Sequence, residues 1–189
     1  LACNADGVHL GQRDTTAREA RLKLGENKII GISAQTVEQA IAAQQDGADY
    51  LGVGAVFTTS TKKDADFVSY DVLKDICASV AIPVCAIGGI YKHNIMQLAG
   101  SGIDGVALVS AIFAAKDIEK ECNELLSLSQ RFEVAAMLKE GKTYLDIAEK
   151  TGASTATISR VNRSLNYGND GYELVFSRMA EASEPDSEQ

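Results

Sequence analysis

Five short apolar segments alternate with helical patterns over the first 120 or so residues, and this alternation constrains the fold most strongly. The segments are rich in Val and Ile and end in Gly, Ser or polar residues, which predicts five strands, at 7–10, 28–33, 50–54, 83–88 and 105–110. Their nearly continuous apolarity is typical of strands that are covered on both faces. Alternating strands and helices predict a parallel α/β fold with right-handed crossovers.

The segments between the strands carry helical periodicity. In the second of them, Val37, Ala40, Ile41 and Gln44 have the i, i+3, i+4, i+7 spacing of one buried helix face. We therefore expect one helix after each strand, at 15–24, 36–46, 70–80, 92–99 and 111–128. The result is five strand–helix units in succession.

The pattern changes after about residue 122, where no further strand is predicted. An apolar stripe on one helix face ends where Gly141 can terminate the helix; it consists of Leu128, Phe132, Ala135, Ala136 and Leu138. Further helices are expected at about 144–150, 154–165 and 172–180. We therefore predict an α/β domain at 1–121, a small all-α domain at 122–180, and a disordered acidic tail at 181–189.

Composition excludes several classes of protein. The 189 residues are 46% hydrophobic and 23% charged, which is ordinary for a globular chain and excludes general disorder. No apolar run approaches the roughly 20 residues that span a bilayer, and the start lacks the pattern of a secretory signal. The four cysteines have no CxxC spacing, which favours free thiols in a reducing cytoplasm over structural zinc. We therefore expect a cytoplasmic protein without a membrane partner.

The net charge of −8 argues against nucleic-acid binding by the chain as a whole, but the charge is unevenly distributed. Residues 129–178 hold 7 basic and 6 acidic side chains, whereas residues 1–128 hold 11 basic and 16 acidic ones. The all-α part is therefore the better candidate for contact with a polyanion.

Polar side chains recur where successive strands of the α/β part end, and in a barrel these ends build the site. Backbone N–H groups of small-residue loops can bind phosphate, and hydroxyl groups and a lysine, Lys62 or Lys63, can add donors. Asp14 can hold a hard cation such as Mg2+, which binds through one or two carboxylates and substrate phosphates. The pattern predicts a site for two anionic groups and a metal, formed by Asp14, Ser33, Thr59, Thr61, Lys62, Gly88, Gly89, Val109 and Ser110.

Each of these features also has an ordinary structural interpretation. The two adjacent glycines can form a tight turn, the Thr/Ser/Lys segment can be a solvated loop, and Asp14 can cap a helix that opens at Thr15. His9, within a predicted strand, is more typical of a packed histidine than of a base, and His93 is more typical of a solvated side chain. The recurrence at successive strand ends favours the functional interpretation.

The segments ADGVHLGQRD, IIGIS, GADYLGVGAVFTTSTKKDAD, IPVCAIGGI and GIDGVALVSAI closely resemble the thiamine phosphate synthase family over nearly all of residues 1–120. The resemblance implies a TIM-type (β/α) barrel, here a partial one of five units. It also implies an Mg2+-dependent transferase that couples hydroxymethylpyrimidine diphosphate to thiazole phosphate and releases pyrophosphate. The family is thought to pass through a pyrimidine carbocation that the thiazole nitrogen captures.

The resemblance also implies roles for individual residues. Asp14 is similar to a magnesium ligand, and Ser33 and Lys62 are similar to contacts with the pyrimidine diphosphate. The thiazole phosphate site is implied for Thr59, Thr61, Gly89, Val109 and Ser110. Because the family's barrel has eight strands and five are predicted here, we expect a chain truncated at its N-terminus, with little or no turnover by itself.

The all-α part contains the spacing of a helix-turn-helix. With Tyr144 as position 1 of a 20-residue window, Ala148, Gly152, Ile158 and Val161 fall at positions 5, 9, 15 and 18. Ser154 is the expected N-cap of the second helix, whose N-terminal part enters the major groove in such motifs. Its exposed face would carry Thr155, Thr157, Ser159, Arg160 and Arg163 as candidate DNA contacts. An ordinary helical hairpin with a glycine turn is the alternative.

Residues from about 125 to 179 resemble the Trp repressor-like family of bacterial regulators, in the segment LLSLSQRFEVAAMLKEGKTYLDIAEKTGASTATISRVNRSLNYGNDGYELVFSRM. That resemblance implies duplex DNA as a partner and a homodimer. Two functions of different class follow: a transferase with an appended DNA-binding domain, or a transcriptional regulator with an inactive barrel remnant. A fusion of two truncated genes with neither activity is a third interpretation.

Overall fold

The computed structural model describes residues 3–58, 67–168 and 171–183. Most of the predicted acidic tail, from residue 184 onward, lies outside these ranges. The chain divides into two compact units, Leu1–Ala111 and Ile112–Gln189. Within the described ranges, every helix is too short or too polar to cross a membrane.

The first unit contains a five-stranded parallel sheet whose strands follow one another in chain order. The strands are β1 (Gly7–Leu10), β2 (Ile29–Ala34), β3 (Tyr50–Val53), β4 (Val84–Ile87) and β5 (Gly105–Ala107). His9 pairs with Gly31, and Ser33 pairs with Gly52. Five parallel strands alternating with helices confirm the predicted fold class, that of a partial barrel.

Three helices of this unit begin at hydroxyl-bearing N-caps. They are α1 (Ala17–Leu24), α2 (Val37–Gln45) and α3 (Tyr70–Ser79). The side chains of Thr16, Thr36 and Ser69 each accept a hydrogen bond from the backbone N–H three residues later, which satisfies a donor that the helix cannot pair. These caps fix where each strand-to-helix loop ends.

The helix predicted at 92–99 is wrong in type and length, because this segment forms a single 3-10 turn at Ile95–Leu98. Asn94 explains the difference. Its side-chain oxygen accepts from Tyr91 N at 2.7 Å and its amide donates to Gly89 O at 2.8 Å, so that it stabilises a turn where an α-helix was expected.

One face of the sheet carries the core of this unit. Ile30, Leu51, Leu73 and Ile76 are all 0% exposed and belong to one apolar cluster that joins the strands to α1, α2 and α3. Burial of such side chains contributes about 1.5–3 kcal/mol each. The strong apolar signal of the strands comes from alternate residues on this face, such as Ile30 and Ile32 of β2.

The opposite face of the sheet differs from the prediction. Ile29 is 52% exposed and Ile87 is 39% exposed, so for the described residues the expectation of two covered faces is wrong. This face also carries small and polar residues, because strand side chains alternate between faces. They are His9, Gly31, Ser33, Tyr50, Gly52 and Cys85.

The segment that leads into the second unit contains two helices where one, at 111–128, was predicted. They are α4 (Ser110–Phe113) and α5 (Ile118–Lys139). Asp117 begins α5 as its N-cap, with its side chain accepting from Lys120 N at 2.9 Å. This cap in the middle of an otherwise helical pattern separates the two helices.

The second unit is all-helical, as predicted. After α5 come α6 (Tyr144–Thr151), α7 (Thr155–Tyr167) and α8 (Gly171–Ser183). Ile147 and Ile158 are 0% exposed and form the core together with side chains from α5 and α8. The rings of Phe132 and Phe176 stack with their centres 5.6 Å apart, which fixes α8 against α5.

Candidate functional site

The loop after β1 holds Asp14 in a defined orientation. Its Oδ2 accepts a hydrogen bond from Gly11 N at 2.7 Å, and its side chain is exposed. Thr16 caps α1, so the interpretation of Asp14 as the helix cap is wrong. The loop presents the carboxylate to solvent immediately beyond the strand.

The described residues place no group of three or more His, Cys, Asp or Glu side chains within reach of one metal ion. Among the described residues, Asp14 therefore belongs to no group of three such donors. One carboxylate fits a Mg2+ ion whose other ligands are water and substrate phosphates. It does not fit a metal site built entirely from described protein side chains.

Ser33 lies near the end of β2 and is held from two directions. Its Oγ lies 3.0 Å from His9 Nε2, and its carbonyl oxygen accepts from Gln12 Nε2 at 2.5 Å. His9 Nδ1 in turn lies 3.0 Å from the hydroxyl of Tyr50. Three neighbouring strands thus contribute to one hydrogen-bonded cluster on the exposed face of the sheet.

Two glycines make room for the imidazole of His9. A Cβ atom at Gly31 would lie 2.5 Å from His9 Nδ1, and one at Gly52 would lie 2.8 Å from His9 Cε1. Any other residue at either position would overlap the ring. The sequence pattern favoured a packed His9, whereas the structure leaves its side chain exposed. His9 lies on the same face of the sheet as Ser33 and Tyr50. This follows from the alternation of side chains along each strand once the register between the strands is known.

The paired glycines after β4 form a turn that also contacts the end of β3. Gly88 has φ +97° and Gly89 has φ +67°, values that favour glycine. The carbonyl of Gly88 accepts from Phe57 N at 3.1 Å, and the amide of Asn94 holds the Gly89 carbonyl. The tight-turn interpretation is therefore correct for this pair, and the turn also positions the loop after β3.

Because all five strands are parallel, their carboxyl ends lie along one edge of the sheet. Asp14, Gly89 and Val109 follow β1, β4 and β5 at that edge, and Ser33 is the last residue but one of β2. Val109 is 51% exposed. Ser110 follows Val109 and begins α4. The predicted residues Thr59, Thr61 and Lys62 lie outside the described part of the chain.

The thiol of Cys85 belongs to the same face of the sheet, next to Gly52 in the register. Burial raises the pKa of this thiol above its usual value. It therefore stays protonated at neutral pH and provides no thiolate nucleophile.

The second unit contains the helix-turn-helix elements in the predicted register. Gly152 ends α6 in the left-handed conformation, at φ +67°, and Ser154 caps α7 by accepting from Thr157 N at 3.1 Å. Ile158 and Val161 are buried, and α7 packs against both α5 and α6. The glycine turn and the N-cap therefore have the roles that the sequence assigned to them.

The opposite face of α7 carries most of the predicted DNA contacts. Thr155, Ser159, Arg160 and Arg163 are exposed. Thr157 is half-buried, and its hydroxyl lies 3.0 Å from Ser154 Oγ within the cap, which makes it the least accessible member of the set. Within the described residues, no carboxylate forms an ion pair with either arginine.

Comparison with known proteins gives a separate result for each unit. Residues 1–112 match the model of the family described as thiamine monophosphate synthase, and residues 118–180 match that described as Trp repressor protein. The thiamine-phosphate synthase of Clostridium tetani is 51% identical over 125 residues, which are 66% of this chain and 60% of that protein. The thiamine-phosphate synthase of Clostridioides difficile is 54% identical over 121 residues, 64% of this chain and 58% of that protein. The chain thus spans about 60% of the length of these curated relatives.

One solved structure is similar in fold to the first unit. A thiamine phosphate pyrophosphorylase from Pyrococcus furiosus superposes with a TM-score of 0.60 at 44% identity, over 66% of this chain and 59% of that one. A TrpR-like protein from Eubacterium eligens is 65% identical over 38% of this chain and 82% of that one, with a TM-score of 0.30. For the helical unit, the family match over residues 118–180 is the stronger result.

Proposed function

The chain belongs to the thiamine monophosphate synthase family, and on that premise we propose that it is a thiamine phosphate synthase-like transferase with an appended DNA-binding domain. In the proposed reaction the bond between the pyrimidine methylene carbon and the diphosphate oxygen breaks, and its electron pair leaves with pyrophosphate. The thiazole nitrogen then supplies the electron pair of the new C–N bond. The observation that carries the proposal is the position of Asp14, Ser33 and Gly89 at one edge of the sheet.

The diphosphate is assigned to Ser33 and Lys62. The Ser33 hydroxyl is held in place through His9, and Lys62 adds a positive charge where the leaving group gains negative charge. Asp14 is the proposed ligand of Mg2+. With Asp14 as its protein ligand, this ion would supply further positive charge to the departing pyrophosphate.

The thiazole phosphate is assigned to the remaining strand ends. Gly89, Val109 and Ser110 lie after β4 and β5, where backbone N–H groups and a hydroxyl can bind a phosphate. Thr59 and Thr61 would add two hydroxyl donors from the loop after β3. A doubly ionised phosphate is well matched by several neutral donors, since hydrogen bonds to charged groups contribute about 1.5–3 kcal/mol each.

An assay with both substrates tests the proposal. The full chain is incubated with the pyrimidine diphosphate, thiazole phosphate and Mg2+, and thiamine phosphate and pyrophosphate are quantified by chromatography. We expect slow formation of both products in equal amounts, dependent on both substrates and on Mg2+. Ser33→Ala should lower it, whereas Ser79→Ala, on the exposed end of α3, should not. Because a partial barrel is expected to turn over little or not at all, the transferase assignment is contradicted if no product forms and neither substrate binds the full chain in a calorimetric titration with Mg2+ present.

The second part of the proposal is duplex DNA binding by α7. It is supported by the exposed Arg160 and Arg163 and by the capped, correctly spaced helix pair. Anisotropy titration of labelled duplex DNA with the full chain tests it, and sedimentation of the same sample tests for a homodimer. DNA binding without any product in the substrate assay would favour the alternative, a regulator with an inactive barrel.

The proposal also includes a cytoplasmic location, which the state of the cysteines supports. Cys3, Cys77, Cys85 and Cys122 are all free. Free cysteines are typical of a reducing compartment. Thiol titration of the protein in extracts of the source cells should give four reduced cysteines, and an oxidised pair would contradict this location.

A further inference from the structure

The imidazole of His9 bridges two hydroxyl groups on neighbouring strands. Its Nε2 lies 3.0 Å from Ser33 Oγ, and its Nδ1 lies 3.0 Å from the hydroxyl oxygen of Tyr50. The rings of His9 and Tyr50 have centres 5.4 Å apart. The bridge depends on Gly31 and Gly52, where a Cβ atom would overlap the imidazole. Two strand residues thus hydrogen-bond to the imidazole, and two glycines leave the space that it occupies.

A neutral imidazole has one N–H donor and one acceptor nitrogen, so the two hydroxyl groups must play opposite roles. If Nε2 carries the proton, it donates to Ser33, and the hydroxyl hydrogen of Ser33 is free to donate to a ligand. If Nδ1 carries the proton, Ser33 donates to Nε2 and presents only lone pairs to the ligand. The tautomer of His9 therefore decides whether Ser33 is a donor or an acceptor in the site.

We propose that His9 is a positioning residue that holds the Ser33 hydroxyl as a donor to a phosphate oxyanion, with Tyr50 fixing the Nε2–H tautomer. Tyr50 donates to Nδ1, Nε2–H donates to Ser33, and Ser33 donates to the ligand. Bonds that run in one direction polarise one another and strengthen the last donor. The inference rests on the proposed function only in taking the ligand of Ser33 to be a phosphate.

Gln12 contributes to the same arrangement. Its amide donates to the carbonyl oxygen of Ser33 at 2.5 Å, so the backbone of Ser33 is tied to the loop after β1 while its hydroxyl is tied to His9. With both groups held, rotation of the hydroxyl hydrogen about the Cβ–Oγ bond is the main motion left to Ser33. The direction of that hydrogen is the property that His9 controls.

The tautomer can be measured in the free protein. The chain has two histidines, His9 and His93, and His93 lies exposed against the ring of Tyr91. Two-bond 1H–15N correlation of the histidine rings distinguishes the tautomers, and His93→Gln assigns the signals by removing one set. We expect Nε2–H for His9. The Nδ1–H tautomer would overturn the inference whether or not the protein binds phosphates.

Binding supplies the second test, with Mg2+ and inorganic pyrophosphate as the probe in calorimetric titrations of the full chain. We expect Ser33→Ala and His9→Phe to weaken binding about tenfold or more, as for loss of a hydrogen bond to a charged group. Tyr50→Phe should weaken it less, because it removes only the group that fixes the tautomer. His9→Gln, whose amide N–H can replace Nε2–H, should restore part of the loss, and His93→Gln should match the wild type.

The outcomes separate the inference from the proposed function. If Ser33→Ala weakens binding while His9→Phe and Tyr50→Phe do not, the inference is wrong and the function stands. If the wild type does not bind pyrophosphate, the proposed function fails, and the tautomer decides only whether His9 holds the Ser33 hydroxyl as a donor. Thermal melting shows whether each variant folds, and the binding measured for Tyr50→Phe decides the inference if His9→Phe does not fold.

Discussion

A Cβ atom on Gly89 would lie 2.6 Å from the carbonyl oxygen of Phe57, so the turn after β4 rests directly on the backbone that follows β3. Gly89 is also buried and has φ +67°. Two successive strand ends are therefore joined through one glycine. A change at this position should affect folding and phosphate binding together.

Gly89→Ala should destabilise the protein by roughly 3 kcal/mol or more, because it adds a backbone overlap to the cost of a left-handed conformation. Gly47→Ala is the matched control, since Gly47 has φ +86° but open space where its Cβ would lie. It should cost about 1–2 kcal/mol. Urea unfolding of both variants measures the difference, and equal losses would show that the close approach to Phe57 is unimportant.

Asp49 should make stability depend on pH. Partial burial alone would raise the pKa of its carboxyl, but hydrogen bonds from Ile30 N at 2.6 Å and from Arg21 at 2.7 Å hold it below its usual value. A lowered folded-state pKa means that the stabilisation is complete above the unfolded-state pKa, about 3.9, and is lost as the pH falls through the folded-state pKa.

The pH effect is tested with Asp49→Asn. This variant should be less stable than the wild type at pH 5–8, roughly the plateau above the carboxyl titration, and the difference should shrink below about pH 4. Asp75→Asn is the control, since the Asp75 side chain is exposed and makes no hydrogen bond to the described residues. A difference between Asp49→Asn and the wild type that does not change between neutral and acid pH would refute the assignment.

Lys62→Ala should weaken the binding of pyrophosphate by about 1.5–3 kcal/mol, the value of one charge-assisted contact. Lys63→Ala removes the same charge from the adjacent position and should have a much smaller effect. Calorimetric titration of both variants with Mg2+ and pyrophosphate decides between them. Equal affinities for wild type and Lys62→Ala would place Lys62 outside the site.

Arg160 and Arg163 should determine how DNA binding responds to salt. Each arginine that neutralises a phosphate contributes about 0.9 to the slope of log affinity against log salt concentration. If Arg160 reads a guanine instead, Arg160→Ala should cost about 1–3 kcal/mol on the preferred sequence and little on random DNA. Lys23→Ala removes one charge from the other unit and should leave binding unchanged. If no salt-dependent binding of DNA is observed even at low ionic strength, the helix pair has only a structural role and does not bind DNA.

Much of the fold could be predicted because its signals are local. The turn at Gly152 and the cap at Ser154 depend on the conformations of a few adjacent residues, and the strands depend on apolar runs. The single helix predicted at 111–128 failed because Asp117 looks like an ordinary polar helix residue until its side chain is seen to cap α5. A cap inside a helical pattern has no separate sequence signal here.

The candidate site could be predicted only in part. Asp14, Ser33 and Gly89 could be named as candidates because each follows a strand or lies near its end, which the order of residues along the chain already shows. The cluster of His9 with Tyr50 was missed because it depends on register between strands 41 residues apart in sequence. Gly31 and Gly52 carry the missing signal, since a glycine inside a strand often marks a close approach by another group.

Simultaneous titration with thiazole phosphate and pyrophosphate, in the presence and absence of Mg2+, tests the two-anion site most directly. We predict that one equivalent of each ligand binds the full chain at the same time, that pyrophosphate binding requires Mg2+, and that Ser33→Ala weakens pyrophosphate more than thiazole phosphate. Competition of the two ligands for one position, or failure of both to bind with Mg2+ present, would contradict the assignment of the strand ends as a site for two phosphates and a metal.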